Sequence, residues 1–121
     1  MPDEILLVAG RVLLGGLFLA AGLRHLTIVD ALAGVLAAKR VPMPRASLIA
    51  ASLFEAVCGA LVVFGVFVEL AAVGLILFTI VATLVMLDFW NQQGDMRAAS
   101  ISAWMTNAAI IGGLLIAIAT V

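Results

Sequence analysis

The chain has 121 residues, 66% of them hydrophobic and 11% charged, with a formal net charge of −1 and a mean hydropathy of +1.34. Soluble domains are about half apolar and about a quarter charged, so a water-soluble globule is excluded, and the lack of any basic tail or patch excludes nucleic acid as a partner. Cys58 and His25 are the lone cysteine and histidine, which rules out an intrachain disulfide, a CxxC redox pair, a bis-histidine haem and a cysteine- or histidine-cluster metal site within one chain.

The N-terminus, "MPDEILLVAG", carries two acids and no base before its apolar run. A secretory signal has a positive n-region, so this run is read as a retained membrane span. Span one covers roughly Ile5 to Leu23 and is interrupted by Arg11. The long connection "RHLTIVDALAGVLAAKRVPMPR" (24–45) holds most of the charge, and Ile28, Ala31, Leu32, Val35, Leu36 and Lys39 recur in it at helical spacing. That pattern predicts a short amphipathic helix at the interface, ended by Pro42 and Pro44.

Span two, about Ala46 to Val68, is interrupted by Glu55 alone. A tight turn near Glu69 leads into span three, Leu70 to Leu87, which carries no charge. The connection "DFWNQQGDMR" (88–97) follows, and Phe89, Trp90 and Trp104 around it suit an aromatic belt at headgroup level. Span four runs from about Ala99 to Val121. At ~1.5 Å per residue each span crosses a hydrocarbon core of about 30 Å. Lipid offers no partners to backbone polar groups, so the spans are helical, and the period-2 alternation of a barrel is missing. The fold class is therefore all-α: an integral membrane four-helix bundle, one domain over residues 1–121, with a short interfacial helix between spans one and two.

Arg24, Lys39, Arg40, Arg45 and Arg97 lie in the first and third loops, and the other side of the membrane has no Lys or Arg outside the spans. The positive-inside bias puts those loops in the cytoplasm and both termini outside. Small residues recur at packing spacing: Gly16 and Ala20, then Ser52, Ala56 and Ala60, then Ala109, Gly113 and Ala117. Such rows let helices, or protomers of a homo-oligomer, approach closely.

Charges within a bilayer face the bundle interior, pair with one another and mark functional paths. The expected network is Arg11 reaching Glu55, with Asn107 completing it from span four, and a second pair of Arg24 with Asp88 nearer the cytoplasm. It serves either as a helix staple or as a site for a small polar ligand, a quinone headgroup or a proton. His25 is read as a headgroup contact, and Cys58 as a packed thiol.

The stretches "GRVLLGGLFLAAGLRHL" (10–26), "FEAVCGALVVFGVFVELAAVGL" (54–75) and "WMTNAAIIGGLLIAI" (104–118) place Arg11, Gly15 and Gly22, then Glu55, Gly59 and Gly65, then Asn107, Gly112 and Gly113 in one pattern. With "VPMP" before span two, this pattern resembles the DoxX family of small bacterial four-helix membrane proteins. Two positions depart from it: Arg24 stands where the family often has lysine, and Asp88 lies where it often has histidine. The resemblance implies a four-helix membrane subunit associated with a redox system, with any activity residing in a membrane oxidoreductase assembly rather than a stand-alone catalyst. The fold also resembles the core of vitamin K epoxide reductase-like enzymes, whose CxxC is absent. Two other classes stand beside the redox subunit: a small oligomeric transporter with Glu55 on its pathway, and a scaffold docking protein partners at the basic loop.

Overall fold

The computed structural model describes residues 2–121. Five α-helices follow in order: α1 (Pro2–Thr27), α2 (Val29–Ala38), α3 (Pro44–Phe64), α4 (Val68–Met86) and α5 (Gly94–Ala119), with a 3-10 turn at Phe89–Asn91. Four of them are long and apolar enough to cross a membrane, and α2 is the shorter helix between the first two. The protein is an all-helical, multi-pass membrane bundle, as the composition requires.

Backbone signals set the helix ends. Helix α2 closes with Arg40 in the left-handed region (φ 63°), Arg40 N donating to Ala37 O and Val41 N to Leu36 O, the paired bonds that satisfy the last carbonyls of a helix. Pro44 then opens α3, as proline favours the first helical turn. Gly65 (φ 72°) ends α3 in the same way as Arg40, with Gly65 N bonded to Val62 O and Val66 N to Leu61 O. The turn therefore lies at Gly65–Phe67, and Glu69, expected at the turn, sits in the first turn of α4. Apolar composition alone carried span two on to Val68 because hydropathy does not register a left-handed glycine.

The tightest seam joins α1 to α3. Along α1 the stripe is Arg11, Gly15, Phe18, Gly22 and His25; along α3 it is Leu48, Ser52, Glu55, Gly59 and Val62. Both alternate steps of four and three, the spacing of a seam between nearly aligned helices. The glycines make the approach possible. A Cβ on Gly59 would lie 2.6 Å from Gly15 O and from Leu19 N, and one on Gly22 would lie 2.7 Å from Ser52 O. The expected row of Gly16 and Ala20 is not the contact: Ala20 is exposed and nothing lies within 4 Å of a Cβ on Gly16. The seam belongs to the glycines one step earlier in the heptad. Beside it, Phe18, Val62, Ala72, Leu75 and Leu114 form the buried core.

The helices are staggered. Gly65 packs against Arg11, so α1 residues 2–10 run past the α3–α4 turn and are largely exposed. At the other end, Trp104 Nε1 donates to Leu87 O at 2.7 Å, so the first ten residues of α5 extend beyond the end of α4. The 19 residues of α4 rise about 28 Å, which matches one hydrocarbon core. Its two ends mark the levels of the two membrane faces.

Candidate functional site

Glu55 sits on the inner stripe of α3, 4% exposed, ten residues from Gly65. At the rise of an α-helix this puts it about 15 Å from the turn, at the middle of the bilayer. Its partner is His25: Nδ1 lies 3.1 Å from Glu55 Oε2. His25 continues the Gly15–Gly22 stripe, three residues beyond Gly22 and one heptad beyond Phe18. Side chains lean toward the N-terminus of their own helix, so in this antiparallel pair His25 and Glu55 lean toward each other. An imidazolium beside a carboxylate and a neutral imidazole beside a carboxylic acid hold the same number of protons and no net charge. The pair is thereby tolerated in an apolar interior and can pass a proton between Nδ1 and Oε2.

The expected pairing of Arg11 with Glu55 is not formed. Arg11 lies on the same stripe as His25 but 14 residues away, about 21 Å along α1. Its guanidinium packs on the α3–α4 turn, with Cζ 3.2 Å from where a Cβ of Gly65 would stand. The overrunning N-terminal turns of α1 explain this. Arg11 is two turns into the apolar run, yet level with the α3–α4 turn at the end of the bundle.

Asn107 faces the same interior as Glu55 but bonds elsewhere, Nδ2 donating to Thr83 Oγ1 at 2.8 Å. Thr79 Oγ1 donates to Leu75 O at 2.7 Å, and Ser52 Oγ is buried with no hydrogen-bond partner. Arg24 and Asp88 do not pair. Arg24, one residue from the His25 stripe and therefore about 100° around the helix, is exposed. Asp88 instead accepts from Lys39 Nζ at 2.6 Å, and from Asn91 and Gln92 at 3.3 Å each. The Lys39–Asp88 pair ties the end of α2 to the α4–α5 connection. Arg45 pairs with Asp30 across the α2–α3 loop.

These groups surround a cavity of about 660 Å³ among α1, α2, α3, α4 and α5. Glu55, His25, Ser52, Thr79 and Asn107 supply its polar patch, with Ser47 and Thr106 as further hydroxyls in the lining. The rest of the wall is apolar, including Leu32 and Leu36, the inward residues of α2. That size suits a small-molecule site, and a few polar groups in an apolar wall are what such sites use to orient a ligand. Phe89, Trp90 and Trp104 meet edge to face below it, with ring centroids 5.4 to 6.2 Å apart, and Arg97 lies 5.5 Å from the Phe89 ring centre.

Sequence reasoning missed His25 as the partner of Glu55. The signal was present, since His25 and Glu55 each complete a heptad stripe of small residues. Taking the pair by charge, as Arg11 with Glu55, ignored that register.

The architecture is that of a multi-pass membrane bundle with a polar patch facing a cavity among its helices. The chain belongs to the DoxX family, whose signature matches residues 6–88, more than half of its length. No curated protein and no solved structure matches it significantly.

Proposed function

We propose that the protein is a membrane subunit associated with a redox system and that its cavity binds an amphiphilic small molecule, a quinone being the ligand that fits both the residues and the family association. The carrying observation is the unpartnered Ser52 hydroxyl beside the Glu55–His25 pair, inside a wall that is mostly apolar. A buried hydroxyl without a partner is costly, and a ligand oxygen in the cavity relieves it. Ser52 and His25 would donate to a carbonyl of the ring, Asn107 and Thr79 would border its far edge, and the apolar wall would take the isoprenoid tail. A bound quinone supplies two-electron, two-proton chemistry. The chain's contribution is to orient the ring and to hold a proton between Nδ1 of His25 and Oε2 of Glu55. In this reading the basic loops face the cytoplasm of a bacterial inner membrane, and the redox partner is a separate protein.

The test is quinone binding to the purified protein in lipid nanodiscs, alongside quinone-linked redox activity in membranes. Glu55→Gln, which preserves shape while removing the proton exchange, should lower activity, and Ser52→Ala should weaken binding by about tenfold. Full binding and activity in both correctly inserted variants would leave the network as a helix staple.

A further inference from the structure

A second polar constellation lies at the opposite end of the bundle and takes no part in the cavity. A groove of about 530 Å³ runs along the α3–α4 turn, lined by Arg11, Gly65, Phe67, Glu69, Leu70 and Val73 among others. Its side chains supply one cation, Arg11, and one anion, Glu69, with Val121 also bordering it, yet the two side chains do not form an ion pair with each other. Among the described residues no carboxylate lies within 4.0 Å of Arg11, and its Nε is enclosed without a hydrogen-bond partner. Phe67, Leu70 and Val73 in the same groove are 71%, 74% and 43% exposed, which is an apolar surface meant for lipid rather than water. Gly65, at φ 72°, lets the guanidinium rest close on the turn, where a Cβ would stand 3.2 Å from its Cζ.

We propose that this groove seats a phospholipid whose headgroup carries a primary amine, with its phosphate on the Arg11 guanidinium, its ammonium on the Glu69 carboxylate and an acyl chain along Phe67, Leu70 and Val73. The depth fits, since both charges lie at the end of α4 that marks one membrane face. The chemistry fits as well. A planar guanidinium suits phosphate oxygens, and an ammonium has the N–H donors that a carboxylate accepts. A phosphoglycerol headgroup offers Glu69 no cation, and a phosphocholine headgroup offers it a cation without N–H donors. Arg11 gives the site its affinity and Glu69 gives it the choice of headgroup.

The experiment is native mass spectrometry of the delipidated, detergent-solubilised full chain, titrated with phosphatidylethanolamine, phosphatidylglycerol and phosphatidylcholine of identical acyl chains. Phosphatidylethanolamine should be retained most. Glu69→Gln, an exposed position, should lower its retention about threefold, as expected for a partly solvated ion pair, and should not lower that of phosphatidylglycerol. Arg11→Gln should lower both lipids about tenfold, and Arg11→Lys should recover only part of the loss. Near-ultraviolet circular dichroism of Trp90 and Trp104, at the far end of the bundle, reports whether the Arg11 variants remain folded. Water-soluble glycerophosphoethanolamine should compete poorly, because it lacks the acyl chain. Equal retention of the three lipids, an unchanged ranking in Glu69→Gln, or full competition by the soluble headgroup would each overturn the assignment.

Discussion

Replacing Gly59 by alanine tests the α1–α3 seam, on which both polar sites depend. The new Cβ would stand 2.6 Å from Gly15 O, 2.6 Å from Leu19 N and 3.0 Å from the Phe18 Cβ. Two of these neighbours are backbone atoms and cannot rotate away. Restoring an ordinary contact of 3.4 Å therefore forces the helices apart by about 0.8 Å. A gap of ~0.5–1 Å forfeits a quarter to a half of each dispersion contact, at about 0.1–0.2 kcal/mol per atom pair. With roughly 40 atom pairs along such a seam the loss is about 2 kcal/mol, within the 1–3 kcal/mol typical of overpacking. Gly16→Ala is the matched control, since it makes the same change in the same bundle with nothing within 4 Å. It should be neutral, or more stable by up to about 1 kcal/mol from helix propensity. Reversible unfolding in mixed micelles, or steric trapping in bicelles, reads the difference directly. Gly59→Ala should fall at least about 2 kcal/mol below Gly16→Ala, a factor of roughly 30 in the folded-to-unfolded ratio. Stabilities within about 0.5 kcal/mol of each other would refute the close approach of the two backbones.

Three further outcomes follow from the same contacts. His25→Ala leaves Glu55 without its partner, and should destabilise the bundle by about 0.6–2 kcal/mol, the range for polar contacts between membrane helices; Glu55→Gln with His25 intact should lose less, as measured by the same unfolding assay. Lys39→Ala and Asp88→Asn should each raise hydrogen–deuterium exchange in α2, and the double variant should exchange no faster than the faster single, because one pair tethers the helix. Trp104→Phe keeps the aromatic cluster but removes the indole N–H that donates to Leu87 O; it should cost about 1 kcal/mol and blunt the near-ultraviolet circular dichroism signal.

The four spans were legible in the sequence because burial in lipid demands long apolar helices whatever their partners are. The shorter helix between the first two spans was legible for a related reason, its spacing of Leu32 and Leu36 being a helical one. What hydropathy could not supply was the relative height of the helices. Arg11 is about two turns into its span by composition, yet the bundle ends level with it, because α1 overruns the α3–α4 turn. Pairing charges by apparent depth therefore matched Arg11 with Glu55 and Arg24 with Asp88. The observed partners, His25 for Glu55 and Lys39 for Asp88, follow from register and from where α2 folds back. The stripes of glycine and small residues held that register, but it is readable only by taking the two helices together.

One helix pair thus carries two unlike polar groups to opposite ends of a single seam. Arg11 and His25 occupy the same stripe of α1, separated by 14 residues, so one rigid helix fixes both at about 21 Å. Changes at such a distance with no shared partner add independently. Glu55→Gln should therefore leave lipid retention at the α3–α4 turn untouched, and Glu69→Gln should leave quinone binding untouched. Gly59 lies between the two, packed on Gly15 toward the turn and on Phe18 toward the cavity. Gly59→Ala is the one substitution expected to weaken both, because it shifts the common helix rather than either group. If it impaired one site and spared the other, the seam would not be rigid, and the two sites would have to be positioned by α4 instead.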